Sequence, residues 1–463
     1  MNVMLKVTLE KETLYAEVGE KLSTVLLKNG KYVDHQCAGK GTCRKCSVIV
    51  NGQPQLSCQY VVTTDIEVIL PEKNEIISET GTENVGTKTS NMCFALDIGT
   101  TTLALALVSL DNKTVVDTIT RTNPQKMYGA DVISRIEYCR KFSHTVLHKI
   151  IIDEINSMVA SFGIEDDLPL YISGNTTMLH LFFNVDPSGM GVAPYTPAFL
   201  ENQIRNGNET GLNGISRVES LSCISAFVGA DIVSGLNYID YPKEGKYSLL
   251  IDLGTNAEIA LFSESEVICT SAAAGPCFEG ANISCGMNAS DGAIYAYSSS
   301  GYKTIGNVSP KGICGTGLVD IVAELLCSEI DETGYMENEE FEIADGVSLS
   351  QSDVRQFQLA KSAVFSAVET LLKYKKIAHN DVEKVYISGG FSAKINISNA
   401  VKTGIISKEF EEKCITINNS SLLGTVKYAC GEDNTDSVMK NARYIDLSST
   451  DEFSNLFVEN MMF

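Results

Sequence analysis

Apolar and polar positions alternate twice near the start of the chain. Met4–Glu10 and Thr13–Val18 both switch residue by residue, the period of a half-buried strand, and Gly19 ends the second run. Leu22, Val25 and Leu26 then recur at helical spacing within Lys21–Asn29, and Gly30 supplies a stop. Ser47–Val50 and Ile66–Leu70 read as further strands, with Asn51-Gly52 as a tight turn. The pattern predicts a small sheet crossed by one helix over residues 1–71.

The texture changes at residues 72–92, which are polar, contain two glycines and lack periodicity; they predict a flexible linker. Beyond it the apolar runs lengthen and repeat. Phe94-Ala-Leu-Asp97-Ile-Gly99-Thr100-Thr101 recurs as Leu250-Ile-Asp252-Leu-Gly254-Thr255-Asn256. Tyr171-Ile-Ser-Gly174 recurs as Tyr386-Ile-Ser-Gly389-Gly390. Helical periodicity marks Ala130–Arg140, Thr145–Ala160, Gly317–Leu326 and Val354–Lys373. Strands alternating with helices, twice over, predict two similar α/β lobes facing a cleft, at 93–242 and 243–463.

The 463 residues suffice for two or three domains, and the hydrophobic fraction of 44% is ordinary for a globular chain. No run is long and apolar enough to span a bilayer, and residues 4–10 read as a strand rather than a leader. Fourteen cysteines without a secretory signal suggest a reducing cytoplasm. Residues 1–75 carry nine basic and nine acidic side chains, so the whole net charge of −22 lies in the remainder. Such a surface disfavours nucleic acid and anionic membranes. Lys40, Arg44 and Lys45 form a local basic loop, either simply solvated or a docking patch for an acidic redox partner.

That loop belongs to a four-cysteine set, Cys37, Cys43, Cys46 and Cys58. Structural zinc sites usually show two close pairs; here there is one, Cys43 and Cys46, preceded by Ala38, Gly39, Gly41 and Thr42. Small residues let backbone N–H groups approach a cluster's sulfides, which favours four thiolates on a [2Fe–2S] cluster over zinc. The spacing resembles adrenodoxin-like ferredoxins, which implies a β-grasp fold for this part. The other cysteines, Cys269, Cys277 and Cys285 among them, read as small buried residues.

The repeated Asp-x-Gly-Thr also has a chemical logic. Glycine permits close approach to phosphate oxygens, Thr or Asn adds donors, and the aspartate can hold hydrated Mg²⁺ or orient a water. One such loop is weak evidence; two on matching strands could grip a polyphosphate from opposite sides. With Val385-Tyr-Ile-Ser-Gly389-Gly390-Phe-Ser-Ala-Lys394, the pair resembles the acetate and sugar kinase, Hsp70 and actin (ASKHA) superfamily. That implies a duplicated, two-lobed ATPase. It assigns ATP to Gly99, Thr100, Thr101, Gly254, Thr255, Asn256, Gly389 and Gly390, with Asp97 and Asp252 catalytic. Gly312–Asp320, with Gly315 and Gly317 at the ligand, resembles the superfamily's second connecting helix.

Asn123-Pro-Gln125, Tyr128-Gly-Ala-Asp-Val-Ile-Ser134, Ser173–Met178, Val228–Asp231, Phe278-Glu-Gly280 and Gln358-Leu-Ala-Lys361 resemble more specifically the reductive activators of corrinoid proteins. The resemblance implies ATP-dependent reduction of a Co(II) corrinoid protein to Co(I) in methyltransferase systems of anaerobes. It implies a low-potential donor such as a ferredoxin or flavodoxin; whether the chain is a homodimer is left open. Typical members carry a further domain where only the linker stands here. Glu279 is expected as a catalytic base or a structural acceptor, Lys361 as a phosphate ligand or a solvated helix-face residue, and Asp231 as a ligand or a helix cap. His144 and His148 read as a solvated helix face, Met178 and His180 as packing residues. A small-molecule kinase or an ATP-gated binding module with an appended ferredoxin stays open. Activators of radical acyl-CoA dehydratases resemble only the ATPase half.

Overall fold

The computed structural model describes residues 4–10, 12–29, 31, 33, 41, 46–71, 86–390, 394–447 and 450–463. Cys37, Cys43, Lys40, Arg44, Lys45 and most of the expected linker lie outside them.

The N-terminal part is a five-stranded sheet. β1 (Met4–Leu9) pairs antiparallel with β2 (Glu12–Glu17) and parallel with β5 (Ile66–Ile69), and β3 (Ser47–Val50) joins β5 to β4 (Gln53–Leu56). The spatial order is β2-β1-β5-β3-β4. Val7, Leu9, Leu14 and Ala16 are the inward set of the expected alternation, and they meet Leu22, Val25 and Leu26 of α1 (Leu22–Lys28) in one small core.

Two larger lobes follow, with the same topology. The first holds β6 (Met92–Ile98), β7 (Thr102–Ser109), β8 (Thr114–Thr122), β9 (Leu168–Gly174), β10 (Ile204–Asn206) and β11 (Ile215–Ser220). The second holds β12 (Tyr247–Leu253), β13 (Ala257–Phe262), β14 (Val267–Ala272), β20 (Val382–Ser388), β21 (Cys414–Thr416) and β22 (Ala442–Tyr444). In between come a small sheet, β15 (Ala293–Ser298), β16 (Gly301–Thr304) and β17 (Gly312–Ile313), and the hairpin β18 (Glu340–Ala344) to β19 (Val347–Ser350). The cores of the two sheets run β8-β7-β6-β9-β11 and β14-β13-β12-β20-β21. In each, an antiparallel meander is followed by parallel additions, so the duplication legible in the sequence is also a duplication of register. Asp97 lies opposite Ser173 in the first lobe, and Asp252 opposite Ser388 in the second.

The helices are α2 (Val132–Lys141), α3 (His144–Ser161), α4 (Thr176–Phe182), the single turn α5 (Gly207–Thr210) and α6 (Ala230–Tyr238) in the first lobe. The second has α7 (Gly315–Leu325), α8 (Gln351–Lys375), α9 (Ile397–Lys402), α10 (Ser420–Ala429), α11 (Thr435–Asn441) and α12 (Asp451–Glu459). β6 and β7 are buried on both faces, and the two faces differ. Phe94, Leu96, Ile98, Leu103, Leu105 and Leu107 pack with Leu147, Ile151 and Ile155 of α3. Cys93, Ala95, Ala104 and Ala106 form the other face, small enough to admit Leu422 and Val426 of α10. On the second lobe's sheet, Leu250, Ala260 and Phe262 take Val233 and Leu236 of α6. The helices α6 and α10 therefore lie between the two sheets and against each other.

Their crossing is close. A Cβ on Gly424 would fall 1.7 Å from the Ser234 carbonyl oxygen, and one on Gly235 would fall 2.8 Å from Ser420 Oγ. This pair joins the lobes, which corrects the expectation for Gly312–Asp320. Gly317 is small because α7 presses on a strand: its Cβ would lie 2.0 Å from the carbonyl oxygen of Ile294 in β15. The small-residue signal of the true connecting helix was Ser420-Ser421-Leu-Leu-Gly424-Thr425.

Candidate active site

The cleft between the lobes has a volume of about 270 Å³. Asp97, Gly99, Thr100 and Thr101 line it from one side; Asp252, Gly254, Thr255, Asn256, Glu279, Gly315, Gly389 and Gly390 line it from the other. Both Asp-x-Gly-Thr loops thus open on one space. Each is a hairpin tip closed on itself, Gly99 N–H donating to Thr102 O at 2.9 Å and Gly254 N–H to Asn256 O at 3.0 Å. At Gly389, φ is +115° and a Cβ would fall 2.2 Å from Leu253 O, so only glycine permits this strand end. A Cβ on Gly390 would meet nothing within 4 Å, which leaves its backbone open to a ligand.

Glu279 joins the two loops. A single oxygen, Oε2, accepts from Thr101 Oγ1 at 2.9 Å and from Thr255 Oγ1 at 2.8 Å. Its turn, Pro276–Glu279, is fixed by Gly275 at φ +80° and Gly280 at φ +75°.

The first loop is held from behind. Asn123 Nδ2 donates to Gly99 O at 2.8 Å, Asn123 N–H to Thr101 O at 2.8 Å, and Arg135 Nη2 to Thr100 O. Arg135 is fully buried, with Nε also on Gly129 O at 3.0 Å. Asn175, the cap of α4, donates from Nδ2 to Thr100 Oγ1 at 2.9 Å. The motifs at 123–125 and 128–134 that marked the resemblance, with Arg135 directly after them, therefore frame this loop.

Four carboxyls crowd the cleft floor. Burial raises Asp97, while hydrogen bonds from Asn419 Nδ2 at 2.9 Å and Ser421 Oγ at 2.7 Å pull it back. Burial, then the charge of Asp97, pushes Asp252 up to about 7, with Ser388 opposing. Burial, then Asp252 and Asp97, pushes Asp231 up to about 7. Glu258 is raised well above the ordinary range by burial, then by the charges of Asp231 and Asp252. Asp231 both lines the cleft and accepts from Ile232 N–H at 2.9 Å in the first turn of α6. Glu258, Asn419 and Ser421 were missed: Glu258 is a single polar residue in an apolar run, and Asn419 and Ser421 sit in a polar stretch that reads as an ordinary helix start until α10 is packed on the sheet. Among the described residues no group of three His, Cys, Asp or Glu converges as a metal cage. This donor set fits a divalent ion that keeps its waters and binds through phosphate oxygens.

Two expected ligands lie elsewhere. Gly317 packs on β15, as above. Lys361, on α8, is 3% exposed; its Nζ donates to the carbonyl of Met462 and sits 5.0 Å from the centre of the Phe463 ring. It anchors the C-terminus and does not line the cleft. His148 is half-buried, with Nδ1 2.9 Å from Phe182 O, rather than solvated. His180 is buried as expected, between Thr176 O and Ala198 N–H, and stacked on Phe199. Cys93, Cys139, Cys223, Cys269, Cys277 and Cys314 are buried; contrary to expectation, Cys285, Cys414 and Cys430 are only half-buried and Cys327 is exposed.

In the N-terminal sheet, Cys46 and Cys58 are buried with their sulfurs 3.2 Å apart. Burial pushes the Cys46 thiol up to about 11. Gly41, at φ +80°, lies across Gln59, whose Nε2 points at Cys58 Sγ from 3.6 Å. Two buried sulfurs near Gly41 and an amide donor fit an iron–sulfur cluster, which would hold both as thiolates.

Comparison with known proteins gives three successive matches. Residues 2–70 match the 2Fe-2S iron-sulfur cluster binding domain, 92–244 the RACo middle region, and 246–463 the C-terminal domain of RACo, the ASKHA domain. The corrinoid activation enzyme RamQ of Eubacterium limosum is 30% identical over 417 residues, covering 80% of this chain and 70% of that protein. The chain belongs to the RACo family. The middle-region match falls on the segment read from sequence as the first ATPase lobe. A Methanosarcina barkeri protein, the [Co(II) methylated amine-specific corrinoid protein] reductase, is 25% identical over 409 residues, covering 79% and 75% of the two chains. The solved structure of a reductive activator for corrinoid, iron-sulfur protein shares the fold, with a TM-score of 0.74 at 24% identity over 99% of this chain and 98% of that one.

Proposed function

We propose that this chain is a reductive activator that uses ATP in the interlobe cleft to drive an electron from its N-terminal cluster onto the Co(II) centre of a corrinoid protein. The observation that carries the reading is the union, in one chain, of an iron–sulfur domain with paired loops that face each other across a cleft. Cys37, Cys43, Cys46 and Cys58 hold a [2Fe–2S] cluster, which supplies one-electron chemistry. The loops at 99–101 and 254–256 take the β- and γ-phosphates of ATP on their N–H groups and hydroxyls, and Gly389 and Gly390 let the backbone approach the nucleoside. Asp97 and Asp252 would hold a hydrated Mg²⁺, which would neutralise phosphate charge there, and Glu279, already bonded to both loops, would orient the attacking water. The electron arrives from a low-potential donor such as a ferredoxin or flavodoxin, in the cytoplasm.

Plant-type clusters lie near about −400 mV, and each 100 mV of uphill transfer costs roughly 2.3 kcal/mol per electron. ATP helps only by binding one state of the protein better than another. The α6–α10 crossing between the sheets is where closure of the lobes on nucleotide would change that state.

The test is anaerobic. Reduced, cluster-loaded protein is mixed with a Co(II) corrinoid protein and Mg-ATP, and the Co(I) absorbance band is followed. Co(I) forms with the native chain and is lost with Cys46→Ala and with Asp252→Ala. Nucleotide turnover on a small alcohol or acid, with no Co(I) from several corrinoid proteins, would replace this reading with a kinase.

A further inference from the structure

The first turn of α10 reaches both lobes through adjacent hydroxyls. Ser420 Oγ donates to Ser388 Oγ at 2.8 Å, in the second lobe. Ser421 Oγ donates to Asp97 Oδ1 at 2.7 Å and lies 2.8 Å from Ser173 Oγ, in the first. The cap residue Asn419 divides its amide: Oδ1 accepts from Leu422 N–H at 2.8 Å, and Nδ2 donates to Asp97 Oδ2 at 2.9 Å. Both oxygens of Asp97 are thus tied to one helix, and that helix is half of the interlobe crossing. Deeper in the same seam, Thr425 Oγ1 donates to Ser173 Oγ at 2.7 Å, and Ser234 Oγ of α6 donates to the Ser421 carbonyl at 2.6 Å.

We propose that Ser421 and Asn419 are positioning residues: they aim the Asp97 carboxylate at the nucleotide-bound divalent ion and couple that ion to the helix between the lobes. Ser421 is 4% exposed and Asp97 is half-buried on the cleft wall, so each bond from a neutral donor to the carboxylate is charge-assisted. Freed of them, the carboxylate would swing about its own side-chain bonds, and metal held through its waters would be held less firmly. The inference rests on the reading that Asp97 serves the divalent ion.

The experiment measures Mn²⁺, in place of Mg²⁺, by its free-ion electron paramagnetic resonance signal, binding to the full chain at saturating ADP. ADP affinity without metal and melting temperature are recorded alongside. Ser421→Ala and Asn419→Ser, the latter keeping a good cap, are each expected to weaken Mn²⁺ binding about tenfold. ADP affinity without metal stays within about twofold of the native value. Val426→Ala, further along α10 and packed on the small face of the first lobe's sheet, controls for loosening of the helix and leaves Mn²⁺ affinity in place. Equal losses of Mn²⁺ affinity in Ser421→Ala and Val426→Ala, or no loss in Ser421→Ala, would overturn the proposal. Asp97→Asn separates the two levels. If it weakens Mn²⁺ while Ser421→Ala does not, only the positioning role falls; if it too changes nothing, the metal reading of Asp97 falls with it.

Discussion

The two Asp-x-Gly-Thr loops began as one motif, and their surroundings have diverged. Strand register sets Asp97 opposite Ala104 in the first lobe, but Asp252 opposite Glu258 in the second. The first loop has one residue more between paired strand positions, and its carbonyls are gripped by Asn123 and Arg135. Its aspartate is tied to α10. The second loop turns to Glu279 through Thr255, and its aspartate is pushed up to about 7 among other acids. Duplication fixed the topology of the site; the division of labour came from elements outside the repeat. The braced loop is suited to place a phosphate, and the acid-rich loop to respond when a cation and polyphosphate arrive.

The strongest way to break this comparison is to remove each aspartate in turn. Asp252→Asn and Asp97→Asn should each lower ATP turnover about a hundredfold or more. Steady-state kinetics would show equal losses if both serve the ion, and an intact rate in either would remove that residue from the chemistry. Glu279→Gln keeps an acceptor for both threonines but removes the charge. A fall in kcat of about tenfold to a hundredfold with little change in KM marks a water-orienting base; an unchanged kcat marks a structural acceptor.

The brace itself is tested by Arg135→Met. It leaves the Thr100 and Gly129 carbonyls without the guanidinium, and denaturant unfolding should show a loss of about 3 kcal/mol. Gly424→Ala forces α10 off the Ser234 carbonyl and should cost about 2 kcal/mol by the same measurement, through the crossing and not through either loop. The smallest effect is a pH slope. Glu258 holds its proton in the folded state well above the unfolded carboxylate range, so the folded chain binds more protons and stability falls as pH rises from about 4.3. Glu258→Gln should flatten that slope in nucleotide-free protein; an unchanged slope would remove Glu258 as its source.

Much of this was legible because periodicity and repetition survive without coordinates. The strands around Asp97 and Asp252, the α1 helix and the 25-residue α8 lie where their apolar patterns place them, within a few residues. The glycines of both loops and of 389–390 could be read because their chemistry needs small residues in a repeated setting. What the sequence hid depends on pairing. Glu258 becomes a site residue only when β13 is set against β12, and Asn419 and Ser421 only when α10 is laid on β6. Lys361 misled because a conspicuous lysine on a helix near a motif suggests phosphate, whereas burial against Met462 and Phe463 gives it a structural partner. Gly317 misled in the same way: closeness to a strand and closeness to a helix both select glycine.

The central claim is that ATP moves an electron that the cluster alone does not deliver. The direct measurement holds the reductant at a fixed potential near that of the cluster and compares the Co(I) yield from a corrinoid protein with and without Mg-ATP. The account predicts Co(I) only when Mg-ATP is present and Cys46, Asp97 and Asp252 are intact. Equal Co(I) without nucleotide, at the same potential, would contradict it.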